Sequence, residues 1–281
     1  MVSANGSSQT YRELLPAPDL RAHLSCVWVQ EVESGAAAYL HRTIPNGAVE
    51  LSCRIGDVPT VTGPQTGPTV ARLAPGSVVV GVRFRPGAAP SVLGVPAFEL
   101  VDLALTSEAL WGRAAVALGE RVAAARSIEQ AAAILEAAVV ARLDAAARPD
   151  ALVGEAVRRL HAWGGDEVSA LPSSLHISGR QLRRRCREAI GFAPKVVQRM
   201  LRFQGFLALA QLESGSDADL ARLAAEAGYA DQSHLTRESA RLAGSSPRAL
   251  LLEAEEHCRD VHDHAASYEP LLRSRRARRT T

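Results

Sequence analysis

Gln232, Ser233, His234, Thr236 and Arg237 crowd into six residues near the C-terminal end of the chain. Each carries N–H or O–H groups on a side chain that can reach a base edge or a phosphate oxygen. Arginine can grip guanine with two parallel hydrogen bonds, and glutamine can do the same for adenine. This is recognition chemistry, with no nucleophile or metal needed. A second group with the same character lies upstream: Ser178, Arg180, Gln181, Arg183 and Arg184. Arg183 or Arg180 suits a guanine, and Gln232 an adenine.

Such side chains read DNA only when a helix is locked in place on its other face. The stretch Asp219 to Ala243 supplies that pattern. Leu220, Leu223, Ala224 and Ala227 fall on one face of a first helix. Gly228 stops it, and Asp231 caps the next. Leu235 and Leu242 point inward from that second helix and leave the donor-rich residues outside. A helix, a tight turn and a reading helix form a helix-turn-helix.

The pattern occurs twice. Leu182 and Leu235, Arg184 and Arg237, Gly191 and Gly244, and Pro194 and Pro247 are four matched pairs, each about 53 residues apart. Four matches at one offset mark an internal repeat. The first copy has a turn one residue shorter, as Leu171 to Leu182 against Leu223 to Leu235 shows. Between the copies, Pro194 to Leu212 reads as one helix, with Met200, Phe203, Phe206 and Leu207 on its buried side. About 19 residues at 1.5 Å each span roughly 28 Å. That is near the spacing of about 34 Å between half-sites one turn apart.

The tandem pattern, with G-Y-x-D-Q-S-H-L-x-R followed by G-x-x-P, resembles the DNA-binding region of the AraC/XylS family of bacterial transcription regulators. The resemblance covers Ala151 to Leu252. It implies that Arg180, Arg183 and Arg184, then Gln232, Ser233, His234, Thr236 and Arg237, occupy positions that face DNA. Ser178 and Gln181 complete the candidate set. It also implies promoter DNA and RNA polymerase as partners and a cytoplasmic, nucleoid-associated location. The first copy departs from the pattern. Pro172 stands where a small residue is usual, and His176 replaces the turn glycine. Cys186 and Ser239 replace an aromatic in the two reading helices. Pro172 lacks an N–H, so it shortens or bends its helix. Arg184 and Arg237 share one slot, which could equally hold a salt bridge to an acidic neighbour. His234 could equally bond the helix start or the preceding helix.

Composition sets the outer limits. The chain has 281 residues, 47% hydrophobic and 22% charged, which suits two folded domains. No apolar run approaches the roughly 18 residues of a membrane span, and the first ten residues lack the form of a secretory signal. Cys26, Cys53, Cys186 and Cys258 are scattered, so reduced thiols and no zinc site are expected. The net charge of +2 decides nothing, because a DNA footprint is a local patch. Lys195 is the single lysine, and arginine favours bidentate contacts.

The expected fold class is α+β. Residues 1–105 read as a β-rich regulatory domain of sandwich or barrel type. His23 to Glu31 places Leu24, Cys26 and Trp28 inward. Ala48 to Ile55 alternates Val49, Leu51, Cys53 and Ile55 against Glu50, Ser52 and Arg54. Ser77 to Phe84 is a further strand. Pro45-Asn46-Gly47, Gly63-Pro64 and Pro75-Gly76 are turns. Gly81 to Leu100 is similar to the end of the sensor-type domain in many such regulators, with Pro86 opening a short helix. Trp28, Tyr39, His41, Arg83 and Arg85 could line an effector pocket. Against that, Trp28 suits a core and the arginines suit solvent.

Residues 106–149 read as a helical segment. Ser127 and Gln130 fit a capping box, and Ile128, Ala132, Leu135 and Val139 form a stripe. The stripe either packs on its own domain or, as the resemblance implies, carries a homodimer contact. Ala145 to Asp150 marks the boundary before the DNA-binding domain of residues 150–253. Residues 254–281 end in RSRRARR and read as a disordered basic tail, which either adds salt-sensitive affinity for DNA or is merely a solvated terminus. His257, Cys258, His262 and His264 lack a standard ligand spacing.

No cofactor and no enzymatic activity are expected. A DNA-repair enzyme fused to the same readers would need a zinc-activated cysteine cluster, which Cys26 and Cys53 do not supply. A metal enzyme in the N-terminal domain would have only His41 and Glu50 to start from. A regulator with no small ligand, controlled by a protein partner, fits the sequence as well as a sensor of small molecules does.

Overall fold

A computed structural model describes residues 9–143, 148–160, 163, 167–212, 219–258 and 262–279. The first eight residues and half of the expected boundary at Ala145 to Asp150, residues 145–147, lie outside the described residues, as do the side chains of His257, Cys258 and His262.

The N-terminal half is a β-sheet with two differently used faces. The strands are β1 (Gln9–Leu14), β2 (Leu24–Val32), β3 (Tyr39–Thr43), β4 (Glu50–Arg54), β5 (Thr60–Thr62), β6 (Thr69–Leu73), β7 (Val78–Phe84), β8 (Ala104–Thr106) and β9 (His262–Asp263). Seven of them form one sheet in the order β8-β5-β4-β7-β2-β1-β9, and β3 and β6 form a separate ribbon. Val27, Val29, Val80, Val82, Phe84 and Leu51 point to one face and are buried there. Tyr11, Cys26, Trp28 and Val79 point to the other. Successive residues of a strand alternate between faces, so this division follows from parity. Leu24 breaks the expected parity. A register shift between Leu24 and Cys26 turns Leu24 to the apolar face while Cys26 and Trp28 face the other way. Ile55, expected inward, lies beyond β4 and is 38% exposed.

Four helices complete this domain: α1 (Pro90–Leu93), α2 (Glu108–Trp111), α3 (Arg113–Ala123) and α4 (Ile128–Val140). Pro90, and not Pro86, is the first residue of α1, because Pro86 opens a turn instead. Ser127 caps α4 by accepting from the Gln130 N–H at 3.2 Å, and the Gln130 side chain accepts from the Arg126 N–H at 2.7 Å. Ala131, Ala132, Leu135 and Val139 are buried against the apolar face of the sheet. Of the two readings open for this stripe, packing on its own domain is the one the structure shows. Residues up to 143 pack with the β-sheet in one core, so the helical segment is part of the N-terminal domain.

The C-terminal half is all helical: α5 (Ala151–Arg159), α6 (Leu171–Ser174), α7 (Gly179–Ile190), α8 (Pro194–Leu212), α9 (Leu220–Glu226), α10 (Gln232–Ala243) and α11 (Pro247–Cys258). The single helix expected from Pro194 to Leu212 is α8, and Met200, Phe203 and Phe206 are fully buried on it. One core runs through both helix-turn-helix units, from Val153 to Leu250.

The tail differs most from expectation. After β9 the chain forms α12 (Ala265–Arg279), so the basic terminus is helical and docked. β9 pairs parallel with β1, and Ala266 and Leu271 are buried. The arginine block is not a disordered like-charge run, because the helix that carries it has apolar residues to bury and polar partners to meet. The Ser267 N–H donates to Glu13 at 2.8 Å, and Arg83 donates to the Ser267 hydroxyl at 2.8 Å.

Glu13 is the centre of that contact. Its side chain is wholly buried and pairs with Arg83 at 2.7 Å. Burial alone would raise its pKa, but His264, Arg83 and Ser267 together hold the carboxyl well below the usual carboxylate range. The stabilisation from this lowered pKa is therefore full above the ordinary value of 4.5 and is lost as pH falls below it. Glu13→Gln should cost about 3 kcal/mol at neutral pH by leaving Arg83 short of a buried counter-ion. Urea unfolding checks this, and the gap between wild type and variant should close in acid.

Candidate nucleic-acid interface

Each unit of the repeat fixes its reading helix in three ways. The first is a cap. The Ser178 hydroxyl accepts from the Gln181 N–H at 3.2 Å, and the Gln181 side chain accepts from the Ser178 N–H at 2.9 Å. Asp231 accepts from the His234 N–H at 2.6 Å. The second is a buried leucine, Leu182 in α7 and Leu235 in α10. The third is a charged tie that sequence reading missed. Arg185 reaches Asp150 at 2.6 Å, while Arg199 holds Glu238 through two bonds of 2.8 and 2.7 Å. Arg185 and Glu238 occupy the same slot of the repeat with opposite charge. Each is tied to the helix region that precedes its own unit. The signal lay in the repeat itself, as a charged residue on the inner side of each reading helix.

Left-handed C-caps close both helices, at Gly191 with φ 90° and Gly244 with φ 72°. The turns also correspond. Gly228 has φ 80° after α9, and His176 has φ 53° at the matching place after α6. The first unit thus keeps the backbone shape of the second without the glycine. Pro172 sits in the first turn of α6, where its missing N–H costs nothing, and the helix is only four residues long. Cys186 and Ser239, in place of the usual aromatic, are both buried, and the Ser239 hydroxyl donates to the Ser245 carbonyl at 2.7 Å.

The candidate DNA-facing residues all lie on α7 and α10 or at their caps. Arg180, Gln181, Arg183 and Arg184 are exposed on α7, as are Gln232, Ser233 and Arg237 on α10. Ser178 and Gln181 spend part of their hydrogen-bonding capacity on the capping box. Thr236 is half-buried and its hydroxyl donates to the Gln232 carbonyl at 2.9 Å. His234 is half-buried, with its ring edge-on to Tyr229 at 5.2 Å, so it leans on the preceding turn. Arg184 lies 3.9 Å from Glu188 with both side chains at least half exposed, a pairing too loose to immobilise it. Arg180, Arg183, Arg184 and Arg187 line an open groove of about 740 Å³, bounded on the far side by Phe98 of the N-terminal domain. Four guanidiniums against the single carboxylate of Glu188 make this groove attractive to phosphate.

The candidate effector residues divide. Trp28, His41 and Arg83 come together on the second face of the sheet, and Arg85 does not join them. Its guanidinium donates to the Arg21 carbonyl at 2.6 Å instead. Around Arg83 stand Glu50 at 2.6 Å and the Tyr11 hydroxyl at 3.1 Å. Tyr11 stacks on Trp28 at 6.0 Å and on His41 at 6.3 Å. Burial lowers the His41 pKa and pushes the Cys26 thiol up to about 12. The indole N–H of Trp28 and Nδ1 of His41 are buried with no hydrogen-bond partner among the described residues. Tyr11, Glu13, Ser267 and His264 were not among the candidates. The only hint in the sequence was Glu13 on the inward parity of β1.

A non-glycine residue in the left-handed region carries a strain of roughly 1–2 kcal/mol. His176→Gly should therefore stabilise the protein by about 0.5–1 kcal/mol after the extra entropy of the unfolded chain. Equilibrium unfolding in urea checks the sign, and a loss of stability would contradict the assignment.

Residues 171–252 match the model of a family described as "Helix-turn-helix domain", and residues 12–106 match one described as "Domain of unknown function (DUF6597)". A search of curated protein sequences returned no significant match. Among solved structures, ToxT from Vibrio cholerae O395 is similar, with 12% identity, a TM-score of 0.40, and coverage of 88% of this chain and 96% of that one. A 1.65 Å structure of ToxT from Vibrio cholerae has 10% identity and a TM-score of 0.41, covering 88% and 98%. ToxT bound to (E)-4-(8-methylnaphthalen-1-yl)but-3-enoic acid has 11% identity and a TM-score of 0.41, covering 88% and 99%. Likeness this low says nothing about ligands or site residues. Residues 171–252 are thus a helix-turn-helix domain with two equivalent units behind a β-rich domain, and the second unit carries the motif that resembles the AraC/XylS regulators.

Proposed function

We propose that the chain reads an asymmetric promoter site through α7 and α10 and takes its signal through the N-terminal domain. The observation that carries this is the equivalence of the two reading helices. Both are capped, anchored by a buried leucine and closed by a left-handed glycine, with polar side chains left outside. The helix α8 between them has 19 residues, a length of roughly 28 Å. That suits successive major grooves on one face of a duplex. Arg180, Arg183 and Arg184 are assigned to one half-site and Gln232, Ser233 and Arg237 to the other. Thr236 and His234 support the second helix while facing the same side.

The signal is assigned to the cluster around Arg83, with Trp28 and His41 supplying polar atoms that lack partners among the described residues. A small-molecule effector is one way to use them, and a protein partner at the same face is another. RNA polymerase contact and a place in the cytoplasm on the nucleoid complete the reading, with no enzymatic activity assigned. Among the described residues no helix is long and apolar enough to cross a membrane.

Selection from a random oligonucleotide pool tests the proposal, which requires one enriched site with two separated conserved segments. On that site Arg183→Ala should cost about 1–3 kcal/mol and relax preference at one base. An equal loss on every sequence would make Arg183 a phosphate contact instead. Repeating the selection with candidate metabolites tests the assignment of the signal.

A further inference from the structure

The two glycines that close the reading helices both sit on the N-terminal domain. A Cβ added at Gly191 would lie 2.8 Å from Val101 and 3.0 Å from Pro64. One added at Gly244 would lie 3.3 Å from Pro68. At the second seat, Arg42 donates to the Ala243 carbonyl at 2.8 Å, a group in the last turn of α10 with no helical donor of its own. Arg42 also lies 3.4 Å from Glu253 on α11. Between the seats, Gln204 of α8 donates to the Pro45 carbonyl at 3.0 Å. Equivalent positions of the two readers therefore rest on one body, while the outward residues at the start of each reading helix stay exposed.

The C-terminal helix ties the same two halves together from another side. Its first turn is bonded to the sensor at Glu13 and Arg83 through Ser267. One turn later, the Leu271 carbonyl accepts from the Trp163 indole N–H at 2.8 Å. Arg275 then pairs with Glu226 on α9.

We infer that the N-terminal domain is a brace across the two reading helices, latched by α12, and that this brace sets the half-site spacing the protein accepts. The inference rests on the DNA-reading function given above. A helix linker alone can bend or rotate at its ends, whereas two seats and a latch hold both readers to one body. The brace also gives the signal a route to DNA. Whatever shifts Ser267 from Glu13 loosens a helix that is bonded to Trp163 four residues further on.

The test uses full-length protein on its selected site and on the same site with one base pair inserted between the half-sites. Arg42→Ala opens a seat, and Arg275→Glu opens the latch. In an Arg222→Gln background, which removes the guanidinium that also pairs with Glu226 at 2.7 Å, the double variant Arg275→Glu/Glu226→Arg restores the pair with reversed charges. Wild type should bind the lengthened site at least about tenfold more weakly, as for a mismatched base pair. Arg42→Ala and Arg275→Glu should narrow that difference to about threefold or less, and the double variant should recover it. Equal discrimination by wild type and both single variants would overturn the brace and leave α8 as the sole spacer. Equal tolerance of both sites by wild type would overturn it too. Failure of wild type to bind any selected site would instead remove the DNA-reading function on which the brace depends.

Discussion

The anchoring of Leu182 and Leu235 is the constraint on which the rest depends. A reading helix recognises bases only if its outward side chains are held to within a fraction of an ångström, and that requires the inward side to be immobile. Leu182 and Leu235 are almost completely buried, and truncating either would leave a cavity in the one core that both units share. The caps at Ser178 and Asp231 start the helices, and the left-handed glycines end them. The charged ties, Arg185 to Asp150 and Arg199 to Glu238, set rotation about the helix axis. With those fixed, the arginines of α7 and the polar residues of α10 have no choice but to face outward.

The same economy explains the first unit's departures from pattern. Pro172 takes the start of α6, where proline is tolerated, and His176 takes a left-handed backbone that glycine would adopt without strain. The unit keeps its shape because Leu171, Leu175, Leu182 and Cys186 are all buried around the turn. Packing overrides local preference here, which is the usual outcome when the two conflict.

Much of this was legible in the residues, and what was not has identifiable causes. Helical periodicity, caps and a repeat offset are local signals, so both helix-turn-helix units, α8 and most strands follow from them. The partition of β2 does not, because the shift between Leu24 and Cys26 reverses the alternation that strand reading assumes. The tail was misread for a related reason. RSRRARR looks like a solvated charge run, but the helix that carries it is tied by long-range partners, Ser267 to Glu13, Leu271 to Trp163 and Arg275 to Glu226. The polar cluster around Arg83 was half visible through Trp28 and His41. Glu13 and Ser267 are 254 residues apart and meet only in the fold. The stripe on α4 could not be assigned from sequence, since a dimer face and a core face have the same periodicity.

The N-terminal domain therefore does more than stand beside the readers. Its seats at Gly191 and Gly244 and the returning helix α12 place all three parts in one frame. The most direct measurement of the central claim is hydroxyl-radical footprinting of the intact protein on its selected site. Two protected tracts about one helical turn, 10–10.5 base pairs, apart on the same face of the duplex are the predicted result. A single tract, or two tracts on opposite faces, would contradict a pair of equivalent reading helices held in one orientation.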